Sequence, residues 1–144
     1  MSVPPAFWDS SALLPLCVNQ PQTARAKAVY RAYGIIVWWA TPVEIASGLT
    51  RLQRMGNIAR NEFLIGKQRA LDLADRWDTL APTPRILSDA CSLLEAYPLR
   101  AADAMQLAAA LENCGHKADG EVFVTGDQRL ADAARQTGFT VEFI

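Results

Sequence analysis

Apolar positions along the chain fall into two kinds of run. Short, continuous ones occupy Ala6 to Trp8, Ile35 to Trp39 (IIVWW), Val122 to Thr125 (VFVT) and Thr140 to Phe143 (TVEF), with a weaker one near Thr79 to Ala81. Continuity rather than strict alternation is what strands covered on both faces require. Longer stretches with helical spacing lie between them: Gln22 to Tyr33, Val43 to Met55, Ala59 to Trp77, Ile86 to Ala96, Ala101 to Asn113 and Gln128 to Gln136. Strands separated by helices pair in parallel through right-handed crossovers. The pattern therefore predicts an α/β fold, a three-layer α/β/α sandwich on a mainly parallel sheet of four to five strands. No repeat, linker or low-complexity tract interrupts it, and residues 1–144 are read as a single domain.

The 144 residues are 51% hydrophobic, which suits one domain with its own core. Lys and Arg number 14 against 15 Asp and Glu, a net charge of -1. Nothing global attracts the chain to nucleic acid or to an anionic membrane, so a nucleic-acid contact needs a local basic patch. Arg51, Arg54, Arg60, Lys67, Arg69 and Arg76 collect on two consecutive helical stretches, but Glu62, Asp72, Asp75 and Asp78 lie among them, and solvated helix faces are the favoured reading. Trp8, Trp38 and Trp39 fall in strands and are read as core rather than as base-stacking platforms. Cys17, Cys91 and Cys114 are odd in number and form no CxxC pair, which predicts reduced thiols rather than disulfides or a zinc site. The N-terminus MSVPPAFWDSS lacks a basic segment followed by an apolar run, and no stretch of about 18 apolar residues occurs. A soluble, cytoplasmic protein without membrane contact is expected.

In a parallel sheet the carboxyl ends of the strands form the working edge, because loops and helix N-termini gather there. Asp9 directly follows the first strand in FWDSSAL, Glu44 opens the helix after IIVWW, and Asp127 follows VFVT in TGDQRL. Asp103 opens LRAADAMQLAAAL, a helix so rich in alanine and leucine that both its sides are expected to be buried. Taken singly, each acid has a plain reading as a helix start: Asp9 and Asp127 as N-caps, Glu44 as the third member of a capping box with Thr41, and Asp103 as a first-turn acid favoured by the helix dipole. Jointly, four acids at one edge repel and raise one another's pKa unless a cation compensates them, which points to a divalent-metal site. Ligands that are all oxygen favour magnesium or manganese over zinc.

In this order and spacing the four fragments resemble the PIN-domain family, and in particular VapC-like toxins of bacterial toxin–antitoxin pairs. The matching features are the strand ending in Asp9 with Ser10 and Ser11 behind it, Glu44 after the second strand, Asp103 in LRAADAMQLAAAL, and Asp127 in FVTGDQRLADAA before the final strand TVEFI. The resemblance implies a PIN-like fold and a metal-binding, catalytic quartet of Asp9, Glu44, Asp103 and Asp127 holding Mg2+ or Mn2+. Ser11 and Thr125 match positions where the family places a hydroxyl near the metal or its water, turn formation being the alternative role. An RNA substrate, an antitoxin partner and homodimers are further implications, as is hydrolysis leaving a 5′-phosphate and a 3′-hydroxyl.

Other chemistries lack their residues. A two-histidine ribonuclease is excluded because His116, in the loop NCGHKADG, is the only histidine, and it is read without a role. No GxSxG elbow or P-loop occurs. A haloacid-dehalogenase-like phosphatase needs a second acid where Ser11 stands, and a receiver domain needs an acidic pair before Asp9. Asp89 and Asp132 are read as solvated helix-surface residues. The leading expectation is a metal-dependent endoribonuclease of the toxin type. A PIN nuclease without an antitoxin and a PIN-fold partner of a DNA-binding complex with little cleavage activity are the alternatives.

Overall fold

The computed structural model describes residues 2–144. In chain order the elements are β1 (Pro5–Trp8), α1 (Ser10–Cys17), α2 (Thr23–Ala32), β2 (Gly34–Trp38), α3 (Thr41–Arg54), α4 (Arg60–Ala74), β3 (Asp78–Leu80), α5 (Pro84–Ala96), α6 (Ala101–Asn113), β4 (Val122–Thr125), α7 (Gln128–Gln136) and β5 (Thr140–Phe143). The five strands form one sheet in the order β3-β2-β1-β4-β5, and every pairing is parallel.

The continuous apolar strands do cover both faces. Ala6, Trp8, Ile35, Val37 and Val124 join a core with α1 to α4, whereas Phe7, Trp38 and Phe123 join a second core with α5 to α7. Trp8 and Phe123 are completely buried, and each side chain of this size contributes about 1.5–3 kcal/mol or more through its removal from water. The Trp8 indole N–H, which burial would otherwise leave without a partner, donates to the Gly34 carbonyl at 3.2 Å across the β1–β2 pair.

Three sequence expectations change. The helix α1 follows Asp9 directly and escapes a periodicity reading, because it is eight residues long and carries Pro15 inside it. The helix α4 ends at Ala74 rather than Trp77, since the chain must turn to enter β3 at Asp78. Trp39 lies beyond the end of β2 and is 60% exposed, so only Trp8 and Trp38 of the three strand tryptophans are core. The three cysteines are free thiols. No helix among the described residues is long and apolar enough to cross a membrane.

Candidate functional site

From β1 the chain steps to β2 and β3 on one side, then returns to lay β4 on the other side of β1. The β1/β4 junction is thus the point where strand order reverses, and loops diverge there to leave a crevice outside the carboxyl ends. Asp9 leaves β1 and Thr125, Gly126 and Asp127 leave β4 at this junction. A cleft of about 860 Å³ opens over it, and Asp9, Glu44, Asp103 and Asp127 all line it.

Asp9 is buried, and although it occupies the N-cap position of α1 its side chain makes no capping hydrogen bond. Its Oδ2 instead accepts hydrogen bonds from Ser11 Oγ and, at 2.9 Å, from Thr125 Oγ1. Those hydroxyls are themselves held by the backbone: Ser11 Oγ accepts from the Gly126 amide at 2.9 Å and Thr125 Oγ1 from the Asp127 amide at 3.0 Å. Both hydroxyls singled out in the sequence therefore clamp the β1 and β4 exits together.

The capping box at Thr41 and Glu44 does not form. Thr41 is already helical and buried, and the α3 N-cap is Ala40 without a side-chain bond. Glu44 is held by a residue the sequence did not single out: Gln106 Nε2, on α6, donates to Glu44 Oε1 at 2.6 Å and to Thr41 Oγ1 at 3.4 Å. Asp103 stands one turn before Gln106, 17% exposed, with the Arg100 guanidinium 3.9 Å away but 81% exposed. Asp127 does cap its helix, Oδ1 accepting from the Leu130 amide at 3.0 Å.

Electrostatics single out three of the four. Burial pushes the Asp9 carboxyl up, against the hydrogen bonds from Ser11 and Thr125 and with help from the Asp103 charge. Burial, then the Asp9 charge, raises Glu44 to about 7 despite the Gln106 bond. Burial and the Asp127 charge raise Asp103. Asp9, Glu44 and Asp103 are each penalised by a neighbouring acid, and the guanidiniums of Arg100 and Arg129 that partly offset this at Asp103 are exposed; among the described residues no Lys or Arg is buried with them. The donors are all oxygen, the chemistry that suits magnesium or manganese. No three of the four bring ligand oxygens within 4.8 Å of one another among the described residues.

The PIN domain family model matches residues 6–136. The chain belongs to this family. PIN domains are typically metal-dependent nucleases. Among solved structures, this PIN domain is similar to the PAE2754 protein of Pyrobaculum aerophilum, at 19% identity over 96% of this chain and 89% of that one, with a TM-score of 0.67. A toxin–antitoxin complex from Klebsiella pneumoniae aligns at 18% identity over 88% and 90%, TM-score 0.63. FitAcB from Neisseria gonorrhoeae aligns at 16% over 96% of each chain, TM-score 0.62. Comparison with curated protein sequences gives no significant match.

A second polar cluster in the PIN domain was also missed. Asp89 on α5, Glu112 on α6 and His116 just beyond bring one ligating atom each within 4.8 Å of one another, a spacing a single ion accepts. His116 Nε2 lies 2.8 Å from Asp89 Oδ2, and Arg85 Nε is 3.8 and 3.7 Å from Asp89 and Glu112. Here the protein supplies its own partners, the Arg85 guanidinium and the His116 imidazole, and the cluster ties α5 to the end of α6. Asp89 is accordingly half-buried rather than a freely solvated surface residue, and His116 is engaged. Asp132 does lie on the helix surface, exposed and beside Arg135. The His116–Asp89 and Gln106–Thr41 pairings join residues 27 and 65 positions apart that share no element, so no spacing rule reaches them, whereas Arg85–Asp89 is an i,i+4 pair within α5.

Proposed function

We propose that this PIN domain is an endoribonuclease that hydrolyses RNA phosphodiester bonds with Mg2+ or Mn2+ held by Asp9, Glu44, Asp103 and Asp127, and that it is the toxin of a toxin–antitoxin pair. The observation that carries the reading is the convergence of these four acids, three of them with raised pKa, on one cleft at the strand-order reversal. A divalent ion in such a site acidifies water and offsets charge on a transferring phosphoryl group. The chain's own part is to hold the carboxylates. Ser11 and Thr125 orient Asp9, Gln106 orients Glu44, and the α7 amide of Leu130 orients Asp127. Arg51 and Arg100 also line the cleft and supply positive charge for a phosphate backbone beside the acids. Hydrolysis by water leaves a 5′-phosphate and a 3′-hydroxyl.

An antitoxin partner is supported by the structural neighbour from Klebsiella pneumoniae, which is itself a toxin–antitoxin complex. A second reading, a PIN-fold partner in a DNA-binding complex with little cleavage, is favoured by the similar FitAB structure, which is bound to a DNA fragment. Incubating the purified protein with structured RNAs in magnesium, manganese or chelator separates the two. Metal-dependent cleavage that disappears in Asp9→Asn supports the nuclease, whereas intact RNA under all conditions supports the second reading.

A further inference from the structure

Three of the four cleft acids have one carboxylate oxygen already committed to the protein. Asp9 Oδ2 accepts from two hydroxyls, leaving Oδ1 with only a long 3.4 Å contact from Ser10. Asp127 Oδ1 caps α7 and Glu44 Oε1 accepts from Gln106. Each of these residues thus keeps one oxygen without a short hydrogen bond, while the other is fixed in direction by its donors.

Gln106 itself is hard to explain as a stabilising group. It is completely buried on a helix face otherwise made of Ala and Leu, and its Oε1 is sealed from solvent without a hydrogen-bond partner. An unpartnered buried carbonyl costs stability that an apolar side chain of similar volume would not. What the amide achieves is confined to Thr41 and Glu44.

We propose that Gln106, together with the Ser11 and Thr125 hydroxyls, is a positioning element that makes the site selective for a small cation against calcium, by restricting Glu44 and Asp9 to ligation through a single oxygen. Calcium takes six to eight oxygens and readily uses carboxylates in bidentate fashion, whereas magnesium binds through one or two singly ligating carboxylates and keeps its water. Asp9 Oδ2 has both lone pairs taken by its two hydroxyl donors, and the Gln106 amide fixes the plane of the Glu44 carboxylate, so neither side chain turns both oxygens to one ion without straining or losing those bonds. The inference rests on the metal-binding reading of the cleft.

The test is equilibrium Mn2+ binding, read from the paramagnetic resonance signal of free Mn2+, with Ca2+ as competitor. Wild type is compared with Gln106→Met, which keeps an unbranched side chain of similar volume. The expected result is a fall of about tenfold in the preference for Mn2+ over Ca2+ in the variant, mainly through tighter Ca2+ binding. Thr125→Val, which frees Asp9 Oδ2 from one donor, is expected to move the ratio the same way and serves if Gln106→Met fails to fold. If Mn2+ and Ca2+ affinities change in proportion in the folded variants, the selectivity role is overturned while the metal site stands. If wild type shows no saturable Mn2+ binding that Asp9→Asn removes, the metal-binding reading falls and this inference with it.

Discussion

Two groups of acidic side chains in this molecule differ in how their charge is compensated. Around Asp89 and Glu112 the chain provides Arg85 and His116 within 4 Å, and the cluster reads as a tie between two helices. In the cleft, Asp9, Glu44, Asp103 and Asp127 crowd at the strand ends with burial and mutual repulsion raising three of them, and the nearest guanidinium, that of Arg100, points mostly into solvent. Crowded acids with a bridging guanidinium are a structural device. Crowded acids without one are an arrangement that folding alone disfavours, and selection for stability does not account for it.

The widest separation between the two is expected in RNA cleavage. Asp9→Asn keeps the volume of the side chain, and no cap is lost because Asp9 makes no capping bond. It removes one charge from the cleft, and activity is expected to fall by at least about two orders of magnitude, equivalent to ~2.7 kcal/mol on the barrier. Asp89→Asn, the matching change in the compensated cluster, should leave cleavage within about threefold of wild type. An Asp9→Asn protein that is folded by circular dichroism and cuts RNA as fast as Asp89→Asn would erase the distinction.

The next effect is on stability against pH, measured by thermal unfolding in chelator. Burial and like charges keep Asp9, Glu44 and Asp103 protonated to higher pH in the folded chain than in the unfolded one. Below about pH 3 both states are largely protonated and no penalty exists. As pH rises toward about 7, where Glu44 titrates in the folded protein, the unfolded carboxylates have already ionised and stability is lost. Tm without metal should therefore fall between pH 5 and pH 8, by about 3 °C for each ~1 kcal/mol, and Mn2+ should restore it. Glu44→Gln should flatten the slope; a slope unchanged in that variant would locate the pH dependence elsewhere.

The two groups also differ in how far the sequence exposes them. Asp9 and Asp127 are legible because a parallel sheet forces the chain out of each strand at one edge, and an acid written directly after an apolar run must stand there. Glu44 and Asp103 are legible as acids opening helices, but what holds Glu44 is not: Gln106 lies 62 residues away and reaches it only because α6 and α3 both meet the β2 end of the sheet. Asp89 and His116 are similarly remote, and a lone histidine in a glycine-flanked loop gives no hint of a partner on a helix. The helix α1 was hidden by its length and its proline. Local pattern reports which strand or helix end a residue occupies; it does not report which side chains from different elements come to face one another.

A smaller effect is expected at Asp103, again in chelator. Its charge is opposed by Asp127 and by burial, so Asp103→Asn should raise the metal-free Tm or leave it unchanged, by a gain of up to about 3 °C, while weakening Mn2+ binding. A marked loss of metal-free stability would make Asp103 a structural acid of α6, and the cleft would then hold three functional carboxylates rather than four.

The smallest effect, and of opposite sign, is predicted for Arg85→Met. Its removal uncovers the Asp89–Glu112 pair and leaves that cluster resembling the cleft. The guanidinium is 63% exposed and stands 3.7–3.8 Å from its acids, beyond hydrogen-bonding distance, so screening by water limits its worth to about 0–1 kcal/mol. Methionine keeps much of the stem's packing, so the lost charge dominates what is measured. The expected outcome is a Tm lower by no more than about 3 °C in dilute buffer, a difference that shrinks in about 1 M salt, where the screening length is near 3 Å. Cleavage should not change. The comparison breaks if Arg85→Met is as stable as wild type at low salt and at pH 8, because two acids deprived of their bridging guanidinium would then cost nothing, and the lack of such a bridge in the cleft would lose its meaning as a mark of function.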